Sequence, residues 1–150
     1  MNAKAIVVGA VVLWLVTNLI GMFGTGLVIH ATILDPIYRA NSSFWLPALN
    51  QDPPDMAALL PNWLLCSLMN SFVVAGIYSC VRTSFKGPGW RRGLTWGISV
   101  GFFAFFFTLG LSGVFNLPLS IFVWWGIEAV ILLTIGGAAM GWASEKFAGA

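Results

Sequence analysis

Ser120–Ala143 reads SIFVWWGIEAVILLTIGGAAMGWA. At about 1.5 Å of rise per residue, this stretch reaches about 36 Å as a helix, more than the ~30 Å hydrocarbon core of a bilayer. It carries a single ionisable side chain, Glu128, in otherwise apolar company. Gly136, Gly137 and Gly141 give it a smooth flank on which a second helix can lie close. A membrane-spanning helix with one carboxylate is therefore the expected centre of the fold.

The rest of the chain has the same character. Of 150 residues, 59% are hydrophobic and 8% charged, and the mean hydropathy is +0.89. Soluble domains carry about 25% charged residues. So few charges cannot cover a water-facing surface of this size, so lipid is the expected solvent. A net charge of +2 gives no electrostatic footprint for nucleic acid.

Working outward from the last stretch, three further apolar runs qualify as spans. The expected limits are about 5–33, 57–81, 93–115 and 119–143, within one domain covering 1–150. The first run is too long for a signal-peptide core of about 7–15 residues, so it is read as a retained helix. Between spans one and two, Asp35 to Met56 forms a polar connection with four prolines and the aromatic residues Tyr38 and Trp45. It is expected to lie at the interface, with a short helix before Pro47. The expected architecture is an all-α, integral membrane four-helix bundle.

Charge sets the orientation. Lys4, the basic loop residues Arg82, Lys86, Arg91 and Arg92, and Lys146 all fall at one end of such a bundle. The long connection at the other end holds Arg39 against Asp35, Asp52 and Asp55. The positive-inside rule then puts both termini in the cytoplasm, and the inner (plasma) membrane of a bacterium is the expected location. The four loop residues are expected to touch anionic headgroups.

Helices in lipid associate through close packing and polar contacts rather than through apolar surface alone. Gly93, Gly97 and Gly101 recur every four residues in span three, and Gly137 and Gly141 do so in span four. Packing of these two spans against each other is the economical reading, and a glycine face presented to another subunit is the alternative.

Depth suggests a polar cluster. Asn18 and Asn70 each lie about 13 residues, or ~20 Å, into their spans, and Glu128 about 9 residues, or ~14 Å, into its own. All three approach the midplane, so a neutral Glu128 donating to Asn18 or Asn70 is expected, because an intramembrane carboxylate costs about 2.5–3.5 kcal/mol on insertion scales. His30, Asp35 and Tyr38 form a second, interfacial polar group. One histidine cannot supply two axial haem ligands, and this trio is thin for a metal. Cys66 and Cys80, on one apolar run, are about 21 Å apart along a helix and cannot pair.

Several stretches together resemble a recurring group of small bacterial four-span membrane proteins. They are His30-Ala31-Thr32-Ile33-Leu34 with Tyr38 after it, Phe85-Lys86-Gly87-Pro88-Gly89 between spans two and three, and Trp125-Gly126-Ile127-Glu128. The group usually has Gly where this chain has Ala31. The resemblance implies the four-span bundle, draws attention to His30 and Glu128, and brings no activity with it. Vitamin K epoxide reductases need a Cys-x-x-Cys that is absent. Small multidrug exporters carry their glutamate in the first span, which has none here. The membrane glutathione transferases have a polar second helix that this chain lacks.

No catalytic motif stands out, and no cofactor or metal is expected, with a bound lipid or quinone as the exception. The first functional expectation is an interaction or accessory subunit, partnered by lipid and by other membrane subunits or copies of itself. The second is a small oligomeric proton-coupled transporter or channel using Glu128 with Asn18 and Asn70. An enzyme working from His30, Asp35 and Tyr38 is a third.

Overall fold

The computed structural model describes residues 2–149. It is all-α, with four helices long and apolar enough to cross a membrane: Ala3–Ile33, Met56–Ser84, Gly89–Gly113 and Leu119–Ala148. The first consists of α1 (Ala3–Ile20) and a π-helical continuation, Gly21–Ile33. A short α2 (Asp35–Ala40) and two 3-10 turns, Ser42–Phe44 and Pro47–Asn50, form the long connection. Then come α3 (Met56–Val81), α4 (Gly89–Gly110) and α5 (Leu119–Ala148).

Local chemistry explains the boundaries. The Asn2 side chain accepts from the Ala5 amide and caps α1, and the Asp55 carboxylate accepts from the Ala58 amide and caps α3. Pro61 lies early in α3, where few backbone bonds are lost. Helix α4 begins four residues before the apolar run, because Gly87 turns the chain with φ +102° and Pro88 then precedes the first turn. Helix α5 runs past Ala143 because Glu145 is held there. Its carboxylate accepts from the Gly89 amide (2.8 Å) and the Arg92 guanidinium (3.0 Å).

The spans form an arc in the order α3, α1, α5, α4, with α1 between α3 and α5. The most intimate seam is α4 on α5. A Cβ at Gly93 would stand 2.8 Å from the Gly141 Cα, one at Gly137 2.8 Å from the Gly97 Cα, and one at Gly101 3.0 Å from the Val130 Cα. At Gly97 a Cβ would run into the Leu133 carbonyl oxygen. The two glycine stripes thus meet each other, backbone on backbone. One core cluster, around Leu13, Tyr78 and Met140, lies toward the end that carries the chain termini. A second, around Ile29, Leu34 and Ile121, lies under the long connection.

The candidate site around Glu128

The site is built where the π-helical segment meets α5. In an α-helix, residues five apart point about 140° away from each other. A π-helix closes its bonds between residues five apart, which brings such pairs onto one face. Thr25 and His30 are five apart, and both reach Glu128. The Thr25 hydroxyl donates to Oε1, and His30 Nε2 lies 2.7 Å from Oε2. The winding is visible elsewhere in the segment. The Thr32 hydroxyl donates to the Leu27 carbonyl and the Leu34 amide to the Ile29 carbonyl, each five residues back.

The long connection supplies the other half. Leu34 and Pro36 start α2 so that Tyr38 turns back over the bundle end, where its hydroxyl sits 2.8 Å from His30 Nδ1. The Trp125 indole donates to the same hydroxyl (2.7 Å), and the Trp45 indole donates to the Tyr38 carbonyl (3.0 Å). Tyr38, Trp45 and Trp125 pack edge to face in sequence, with ring centroids 5.2 and 6.2 Å apart. Burial pushes the Tyr38 phenol up to about 12. The Trp125 hydrogen bond pulls the other way, and the charge of Glu128 adds to the rise.

With an ionised carboxylate and a neutral imidazole, one arrangement of protons satisfies every donor and acceptor. Trp125 can only donate, so the Tyr38 hydroxyl accepts from it and spends its own hydrogen on His30 Nδ1. The imidazole then carries its hydrogen on Nε2 and donates to Glu128. The result is one directed chain, Trp125 to Tyr38 to His30 to Glu128, with Thr25 donating to the other carboxylate oxygen. Side-chain exposure is 36% for His30 and 15% for Glu128, so the pair is open on the histidine side.

The expected cluster of Glu128, Asn18 and Asn70 is not what the chain assembles. Asn18 donates to the Trp14 carbonyl (2.8 Å) and to the Ser67 hydroxyl (3.2 Å), joining α1 to α3. Asn70 lines a groove between α3 and α4. Neither depth nor direction matches: Glu128 meets span one at Thr25 and His30, beyond Asn18 toward the long connection, and α1 turns Asn18 toward α3. Of the interfacial trio, His30 and Tyr38 join the site. Asp35 instead accepts from Arg39 (2.9 Å) on the exposed surface. Thr25, Trp45 and Trp125 complete the site, and α-helical periodicity gives no signal that Thr25 and His30 share a face. Lys86 and Arg91 are exposed at the opposite end, where Arg82 and Arg92 are partly buried. Among the described residues, no three His, Cys, Asp or Glu side chains converge as a metal site would require.

No family model matches the chain, and neither a curated protein nor a solved structure is similar to it.

Proposed function

We propose that the protein is a small proton-coupled membrane transporter or channel, and that the His30–Glu128 pair is its proton site. The observation that carries this reading is the 2.7 Å contact between the two groups inside the apolar span region. An imidazole and a carboxylate in hydrogen-bond contact can share a proton and pass it on, which is the chemistry a proton site needs. Ionisable groups at such depth are rare and usually mark ion or proton paths.

The hydrogen-bond chain supplies a coupling. A proton added at His30 Nδ1 makes the imidazole a double donor. The Tyr38 hydroxyl then accepts from both His30 and Trp125 and must turn its own hydrogen elsewhere. Proton occupancy is thereby tied to how the Tyr38–Trp45 cap sits over the bundle end. The basic end carrying Lys4, Arg82, Lys86, Arg91, Arg92 and Lys146 faces the cytoplasm by the positive-inside rule, which supports N-in/C-in orientation in a bacterial inner membrane and puts the site in the outer half.

The test is proton flux into proteoliposomes under an imposed gradient, followed with a trapped pH-sensitive dye. Wild type and Gly76→Ala should conduct, and Glu128→Gln should not. Equal signals from empty vesicles and wild type would end the reading.

A second reading, an accessory subunit, is favoured by the uncovered aromatic face of α4. Phe103, Phe106 and Phe107 are 71%, 64% and 63% exposed. Mild extraction and mass determination of the intact particle separates the two. Other chains in the particle favour the subunit, and one or a few copies of this chain favour a self-contained device.

A further inference from the structure

One polar group in the membrane region has no counterpart within the chain. Asn70 stands at the middle of the Met56–Ser84 span and is exposed on α3. The polar groups beside it are provided for. Ser67 takes hydrogen bonds from the Trp14 indole and the Asn18 amide, and Ser71 donates to the Ser67 carbonyl. Among the described residues, the Asn70 amide gives and takes none. It borders the open groove between α3 and α4, whose far wall is Val100, Phe103 and Phe107. A carboxamide has two N–H groups and an oxygen to satisfy, and neither hydrocarbon nor these side chains can do it.

The residues around Asn70 form a seam. Trp63, Cys66, Asn70, Val73, Ile77 and Cys80 follow one another at alternating intervals of three and four residues. That is the 3.5-residue period of two helices packed at a shallow crossing angle. All six are exposed, so the seam is uncovered. From Trp63 to Cys80 it covers about 26 Å, most of the ~30 Å hydrocarbon core. It is not the face that α3 turns to its own bundle. Ser71, Val74, Ala75 and Tyr78 make that face, and they are buried.

We propose that this seam of α3 packs against the same seam of a second copy of the chain. The two Asn70 amides bond to each other across a two-fold axis along the membrane normal. The chemistry of the seam selects a second copy over other occupants. Carboxamides are self-complementary, each giving an N–H to the oxygen of the other. Copies inserted with one orientation have parallel α3 helices, so a two-fold axis sets every seam residue opposite its own counterpart at equal depth. A single asparagine in an apolar seam is a device that fixes register and number in parallel helix pairs. Lipid tails would cover the apolar residues of the seam and leave the amide unbonded. The inference rests on the membrane location proposed above but not on the proton site.

The chain carries its own probes. Cys66 and Cys80 are free, exposed and both on the seam, and a disulfide needs Cα atoms within about 7 Å. The experiment is oxidation of the full-length protein in liposomes with copper phenanthroline, followed by electrophoresis without reductant. Wild type, Cys66→Ser and Cys80→Ser should each give a covalent dimer, because each cysteine meets its own counterpart. Val7→Cys, on the exposed side of α1 in a chain with both natural cysteines changed to serine, should not. Energy transfer between labelled copies, followed as lipid is added, gives the association constant. Asn70→Val should lower it about tenfold, as expected for one interhelical amide contact in lipid, and Asn70→Gln should keep most of it. Circular dichroism checks that each variant is folded. A disulfide that needs both cysteines would mean antiparallel helices and overturn the two-fold seam. Equal crosslinking through Val7→Cys would reduce the contact to random collision. Unchanged association in Asn70→Val, or a crosslink in native membranes to a different chain, would overturn the proposal equally. None of these outcomes bears on the proton-flux test.

Discussion

The contact between His30 and Glu128 can be weighed by a double-mutant cycle. His30→Ala, Glu128→Ala and the double variant are compared with wild type by reversible unfolding in bicelles. At 2.7 Å, a full imidazolium–carboxylate attraction is about 6 kcal/mol at an effective dielectric of about 20 and about 1.5 kcal/mol in water. Side-chain exposures of 36% and 15% put the pair between these limits. A neutral imidazole N–H donating to a carboxylate is a hydrogen bond to one charged group, with a net value of about 1.5–3 kcal/mol. A coupling energy of about 2 kcal/mol is therefore expected at neutral pH. The cycle isolates this contact cleanly. Loss of the Thr25 bond occurs in both variants lacking Glu128, and loss of the Tyr38 bond in both lacking His30, so each cancels in the difference. A coupling below about 0.5 kcal/mol, the usual error of additivity, would refute the account of the site as a single directed chain.

Four further outcomes follow from the same geometry. Gly97→Ile should destabilise the bundle by about 1–3 kcal/mol in the same unfolding assay, because its Cβ meets the Leu133 carbonyl. Gly76→Ala, in open space within α3, should be neutral or stabilising by up to about 1 kcal/mol. Gly26→Ala should disrupt the π-helical winding, since its Cβ meets the Gly21 carbonyl oxygen; nitrogen NMR of the His30 ring should then lose the signature of the Glu128 hydrogen bond. Tyr38, raised to about 12, holds its proton more tightly folded than unfolded. Its stabilising contribution is present below pH ~10 and is lost as pH rises toward ~12, so in a tyrosinate absorbance titration Tyr38→Phe should remove Tyr38's share of the late absorbance rise and leave that of the second tyrosine.

The parts of this fold that were legible in the sequence are those that depend on composition and on α-helical period. Four apolar runs name four long helices, Gly87-Pro88 marks a turn, and glycines four apart mark a face where backbones can touch. The polar site follows a different rule. Counting residues from the span ends suggests a shared depth for Asn18, Asn70 and Glu128, but the helices are offset: Glu128 meets span one at Thr25 and His30, and α1 turns Asn18 toward Ser67 on α3. His30 and Glu128 stood out as ionisable groups in apolar surroundings. Their pairing did not, because it depends on a change of helical period after Ile20. Gly21, Gly24 and Gly26 are the trace of that change in the sequence, and glycine at such density in a span reads equally well as a packing surface.

The π-helical segment and the polar site sustain each other. In an apolar medium every backbone amide and carbonyl needs a partner, and a π-helix meets that need as an α-helix does, with bonds reaching one residue further. What it gives up is packing efficiency and the better local geometry, which is why long π-helices are rare. Here the segment holds together three interactions that an α-helical winding could not make at once: Thr25 on Glu128, His30 on Glu128, and Tyr38 on His30 through the short α2 that follows. Rewinding Gly21–Ile33 as α-helix would swing His30 away from Thr25 by a large part of a turn. Glu128 would then keep at most one of its two partners in apolar surroundings, an outcome costing several kcal/mol for a charged group. The carboxylate on α5 therefore selects the winding of the segment opposite it. Removing that carboxylate should relax the segment toward an α-helix, and amide hydrogen exchange across Gly21–Ile33 in Glu128→Ala would register the change.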